Sequence, residues 1–118
     1  MTDLIACLSS GKGTWLEVRN LVEKGEWSNA YLITDDFGVK RFSSGKRVNF
    51  ILIDSGKPIN EIIEDIRSQL KEKIVDTEVA LNLISGTGKE HMAVICAILK
   101  LGLGIRMVSI VGEEIVEV

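Results

Sequence analysis

The sequence predicts an α/β fold: a three-layer sandwich built on a mainly parallel sheet of five to six strands, in the order 3-2-1-4-5(-6). Three observations carry this expectation. Short runs rich in Ile, Leu and Val alternate with segments of helical period, as buried parallel strands and their crossover helices do. The apolar fraction of 46% is enough to fill a core on both faces of a sheet. The length, 118 residues, suits one domain, and no linker, repeat or low-complexity segment divides residues 1–118.

Residues 3–8 (DLIACL) are a short apolar run ending in SSGKG, the pattern of a buried strand entering a turn. A helix should follow over 14–24, with Trp15, Val18, Leu21 and Val22 on one face and Gly25 as its C-terminal stop. Residues 29–34 and 48–54 read as the second and third strands. Between them, 35–47 (DDFGVKRFSSGKR) has no helical pattern, although a parallel crossover usually contains a helix. A loop, a hairpin and a short extra strand near 39–42 all fit. Pro58 opens the clearest helix, where Ile59, Ile62, Ile63, Ile66 and Leu70 recur at helical spacing. A fourth strand at 78–84, a helix at 87–101 stopped by Gly102 and Gly104, and a fifth strand at 105–111 complete the alternation, and EEIVEV can add a sixth. Right-handed crossovers make this a Rossmann-like, doubly wound arrangement.

Charge and composition narrow the function classes. A net charge of −3 gives no global field for long nucleic acid or anionic membrane. No apolar stretch approaches the ~18 residues a membrane helix needs, and Asp3 stands where a leader would be basic. A cytoplasmic protein is the expectation. Cys7 and Cys96 lie in apolar runs and read as buried thiols, not a disulfide framework. One histidine and two such cysteines provide no metal-ligand spacing, so neither a metal nor a cofactor is expected.

In open α/β sheets, ligands bind beyond the carboxyl ends of the strands, where the strand order reverses. That point lies between strands one and four, which end in the two richest glycine turns: Ser9, Ser10, Gly11, Lys12, Gly13, Thr14 and Ser85, Gly86, Thr87, Gly88, Lys89. Glycine lets a backbone approach a ligand closely, a helix N-terminus offers N–H groups to an anion, and each turn adds hydroxyls and one lysine. The pair predicts a shared site for a phosphate-bearing, nucleotide-derived ligand. Neither turn is a Walker A motif, since Lys12 precedes Gly13 and Lys89 precedes Glu90 where Ser or Thr is required; G-x-G-x-x-G is absent too.

The segment VALNLISGTGKEHM, residues 79–92, with the apolar helix behind it, resembles the signature of CARF (CRISPR-associated Rossmann fold) domains. The likeness extends to a first strand ending in a small polar loop and to the strand order. Two features depart from it: Gly88 separates Thr87 from Lys89 and displaces the lysine by one position, and no helix is evident between strands two and three. No effector domain follows, so a stand-alone member is expected. The resemblance implies a homodimer that senses cyclic oligoadenylate across its two-fold axis, with both turns as ligand-binding loops. Some stand-alone members are ring nucleases. In that alternative, which needs no metal, the ring's own 2′-hydroxyl attacks the adjacent phosphate and Ser10, Lys89 and His91 assist. A different nucleotide-binding regulator or a structural Rossmann-like subunit is the remaining alternative.

Smaller signals have plainer readings. His91 suits an exposed or capping first-turn position, or acid–base work. Asp35 and Asp36 read as ordinary loop carboxylates, or as the acid that meets a ribose. Lys40, Arg41, Lys46 and Arg47 form a basic run placed on the ligand side of the sheet, as a solvated loop or a phosphate-holding lid. Trp15 and Trp27 suit packing better than base stacking. The helix from Met92 to Leu99 is apolar nearly all round, so one face meets the sheet and the other calls for a second cover, either another subunit or the small tail strand.

Overall fold

The computed structural model describes residues 2–8 and 14–118. Ser9, Ser10, Gly11, Lys12 and Gly13 of the first turn lie outside the described residues. In chain order the elements are β1 (Asp3–Cys7), α1 (Trp15–Lys24), β2 (Ala30–Thr34), α2 (Asp36–Arg41), β3 (Asn49–Leu52), α3 (Ile59–Leu70), β4 (Glu78–Asn82), α4 (Gly88–Lys100), β5 (Gly104–Val111) and β6 (Glu114–Glu117). The sheet order is β3-β2-β1-β4-β5-β6, as the sequence predicts. Strands β1 to β5 pair in parallel, and β6 returns antiparallel along β5.

Strand periodicity sorts the core into two layers. Ile5 and Cys7 of β1 point to a layer shared with α3 and α4, while Leu4 and Ala6 point to one shared with α1. Ile62, Ile66 and Leu70 bury the i, i+4 stripe of α3, and Val18, Leu21 and Val22 bury that of α1. Each fully buried Leu or Ile contributes about 1.5–3 kcal/mol relative to exposure.

The all-round apolar character of α4 resolves into two stripes. Ala93, Val94, Ala97 and Ile98 are buried in the layer with α3. On the outer side Met92 and Leu99 are 61% and 59% exposed, with Ile95 and Cys96 half-buried between them. The tail strand does not cover this stripe, because Ile115 of β6 packs into the opposite layer.

Residues 35–47 do contain a helix, α2, where a loop, a hairpin or an extra strand fitted the sequence. Asp35 caps it, its Oδ1 accepting the Gly38 N–H at 3.0 Å. Gly38 sits against Thr34, so close that an added Cβ would lie 1.8 Å from Thr34 Oγ1. This hydroxyl is buried and has no hydrogen-bond partner among the described residues. The chain then turns back. Lys46 donates to Gly25 O at 2.8 Å, and Lys46 and Arg47 line a small cavity with residues 28–30 and Asn49, at the amino ends of β2 and β3. The placement of these two cations on the ligand side is therefore corrected: β3 must restart at the opposite end of the sheet, and Lys46 and Arg47 lead into it. Gly25 also ends α1 differently from a left-handed cap. Its φ is −82°, and glycine is needed because the Trp27 indole lies on it, 2.2 Å from where a Cβ would stand, with Nε1 donating to Leu21 O at 2.8 Å.

One side chain covers the β3 edge at Leu52. Gln69 of α3 accepts the Leu52 N–H at 3.1 Å and donates to Leu52 O at 2.9 Å, imitating a neighbouring strand where an open edge would invite another chain. Gln69→Ala should lower stability by about 1 kcal/mol and raise the tendency to associate at high concentration. Urea unfolding with light scattering reads both, and identical curves for the two proteins would show the cap to be incidental.

Candidate functional site

Strands β1 and β4 are parallel neighbours, with Ala6 beside Asn82, so both glycine turns leave the same end of the sheet. Asn82 aims the second turn. Its Nδ2 donates to Val108 O at 2.9 Å and its Oδ1 accepts the Ile84 N–H at 3.1 Å. Ser85 is buried, and Gly86 follows with φ +106°, a conformation L side chains rarely adopt. A Cβ on Gly86 would stand 3.1 Å from the Cys7 Cβ and 3.0 Å from His91 Nε2. The second turn thus closes directly on the end of β1, beside the place where the first begins.

Thr87 caps α4. Its Oγ1 accepts the Glu90 N–H at 3.2 Å, and Glu90 returns a carboxylate to the Thr87 N–H at 2.8 Å. This capping box satisfies two of the amide groups at the helix start. The N–H groups of Gly88 and Lys89 have no acceptor among the described residues, and together with the helix dipole they favour an anion.

The charged and titratable groups are engaged as follows. His91 Nε2 donates to Ser85 O at 2.8 Å, since a carbonyl only accepts; the ring therefore holds the turn, while Thr87 and Glu90 do the capping. Lys89 Nζ donates to Ser55 O at 3.0 Å and Lys57 O at 2.7 Å, on the loop after β3. Burial pushes the Cys7 thiol up to about 12, with the Glu90 carboxylate adding to the effect, so Cys7 stays a thiol and is no nucleophile. Cys96 is half-buried on α4. Thr14, the last residue of the first turn, precedes α1 without a side-chain cap bond. Asp35 caps α2, and Asp36 pairs with Lys40 at 2.9 Å. Trp15 packs against Phe37 and Phe42. No group of described residues could hold a metal ion, and no helix among them is long and apolar enough to cross a membrane.

Two features escape the sequence reading. One is the Thr87–Glu90 capping box, legible as T-x-x-E. The other is the turn Ser55-Gly56-Lys57, which repeats the Ser-Gly-Lys of Ser10-Gly11-Lys12. It borders an open depression of about 460 Å³ at the carboxyl ends of β2 and β3, lined also by Asp35, Asp36, Asp54 and Asp65.

No protein-family profile and no curated protein matches the chain. Among solved structures, it is similar to Enterococcus italicus Csm6 bound to cyclic hexa-2′-fluoro-hexa-dAMP, with a TM-score of 0.61 at 14% identity. The match covers 94% of this chain and 33% of that one, so the chain spans about a third of its neighbour's length. At this identity the likeness shows the fold alone, a Rossmann-like α/β arrangement over nearly the whole chain.

Proposed function

We propose that this chain is a sensing domain that binds a cyclic oligoadenylate with the turns after β1 and β4, as a homodimer whose two-fold axis the ring shares. One observation carries the reading: two adjacent parallel strands deliver glycine turns to one end of the sheet, with Gly86 packed against Cys7. The open N–H groups of Gly88 and Lys89 suit a phosphodiester. The similar Csm6 structure holds a cyclic oligonucleotide, and about a third of that chain has the fold found here. In this reading Ser9, Ser10, Gly11, Lys12, Gly13 and Thr14 form one ligand loop and Ser85, Gly86, Thr87, Gly88 and Lys89 the other. A cytoplasmic location belongs to the same reading.

Binding is favoured over cleavage because two groups needed for cleavage already have structural partners. His91 is held on Ser85 O, and Lys89 on two carbonyls. Calorimetry with cyclic tetra- and hexa-adenylate, followed by chromatography of the mixture, tests the reading. Binding with the ring recovered intact is the expected result. Linear products would replace the sensor with a metal-independent ring nuclease, and no binding of either ring would end the proposal.

A further inference from the structure

Lys89 is the second residue of α4 and its side chain is exposed, yet its ammonium is committed. It reaches across 34 and 32 residues of sequence to the carbonyls of Ser55 and Lys57, at 3.0 and 2.7 Å. The turn it meets is otherwise local. Asp54 Oδ1 accepts the Gly56 N–H at 2.9 Å, and Asp54 O accepts the Lys57 N–H at 3.1 Å. Among the described residues, the only bonds to the main chain of 55–57 besides those of the adjacent Asp54 are the two from Lys89. The turn joins the edge strand β3 to α3; the packing of α3 on α4 holds the helix that follows, and the Lys89 bonds hold the turn itself.

We infer that Lys89 is a positioning residue that fastens the Ser55-Gly56-Lys57 turn to the start of α4, making this turn a third wall of the site. Its place in a ligand site rests on the ring-binding reading; the fastening itself does not. An ammonium has three donors, and two are spent on carbonyl oxygens. A direct phosphate contact would have only the third donor, held where these two bonds place it. In the ring-binding reading the helix-start N–H groups are left for the anion, while the lysine sets the distance between the turn and the start of α4. Lys57 does not compete for the same carbonyls, because its own ammonium pairs with Asp65 at 3.1 Å.

Two measurements test this, on Lys89→Met, which keeps the stem, and Lys89→Arg, which keeps several donors. In the free protein, amide exchange at Gly56 and Lys57 should quicken by about tenfold in Lys89→Met, the weight of one charge-assisted hydrogen bond, and return toward the parent rate in Lys89→Arg. Unchanged exchange in Lys89→Met overturns the fastening, whatever the ligand is. The second measurement is the salt dependence of cyclic hexa-adenylate binding. Lys89→Met should weaken binding and leave the slope of log Kd against log salt as it is in the parent. Loss of roughly one phosphate contact from that slope would make Lys89 a direct phosphate ligand and overturn the positioning role. A parent protein that binds no ring removes the site's third wall together with the ring-binding reading, while the exchange result still decides the fastening.

Discussion

Gly86→Ala should destabilise the fold by about 2–3 kcal/mol and weaken cyclic oligoadenylate binding by at least about tenfold. The two effects have one origin. At φ +106° any L side chain is strained, which costs on the order of 1–3 kcal/mol. The methyl would also stand 3.0 Å from His91 Nε2, 3.1 Å from the Cys7 Cβ and 3.3 Å from Glu90 Oε1. None of these can yield cheaply: His91 holds Ser85 O, Cys7 is fixed in the central strand, and Glu90 closes the capping box. Relief would come by moving the turn away from β1, and with it the helix-start N–H groups. A thermal melt should show a fall of about 10 °C, on the scale of 4–8 °C per kcal/mol for a small domain. Gly88→Ala is the control, since nothing lies within 4 Å of a Cβ there and the residue begins a helix. Equal melting of Gly86→Ala and Gly88→Ala would sink the claim that this turn is sterically locked.

What the sequence reveals and what it hides follow from length and context. Strands β1, β2 and β4 are buried along nearly their whole length, so their apolar runs stand out and the strand order follows from the alternation. The six residues of α2 are too few for a period to show. Gly38, a poor helix former costing about 1 kcal/mol relative to Ala, sits inside them. That glycine answers to Thr34, a neighbour across the fold, and no local rule announces such a contact. Half of the basic run, Lys46 and Arg47, stands away from the ligand side for a related reason. Lys46 and Arg47 follow β2 in sequence, but the return path of α2 carries them to the other end of the sheet. In the second turn the glycines are legible and the task of Lys89 is not, because its partners Ser55 and Lys57 lie more than thirty residues away. His91 had a local signal, being a helix-start histidine one turn from Ser85.

Leu99→Glu should turn a dimer into a monomer while leaving the protomer folded. The stripe Met92, Ile95, Cys96 and Leu99 runs at i, i+3, i+4 and i+7 on the outer side of α4, with Ile95 at its margin partly packed against the core of Ala93, Val94, Ala97 and Ile98. At 59% exposure, Leu99 contributes little to the protomer's own core. The substitution should therefore change its unfolding free energy by no more than about 0.5 kcal/mol. In a two-fold interface the same change acts twice, since an isologous contact repeats each residue. Each copy replaces apolar contact with a carboxylate that has no partner to meet, at a desolvation cost that an interface of ordinary size does not recover. Light scattering at micromolar concentration should report a dimer for the parent and a monomer for the variant. Affinity for cyclic hexa-adenylate should fall by roughly a hundredfold or more, because half of the ring's contacts would no longer be held at high effective concentration. Urea unfolding at low concentration checks that the protomer is intact. A parent that is already monomeric, or a Leu99→Glu variant that still pairs and binds the ring, would remove α4 as the interface and the shared two-fold site with it.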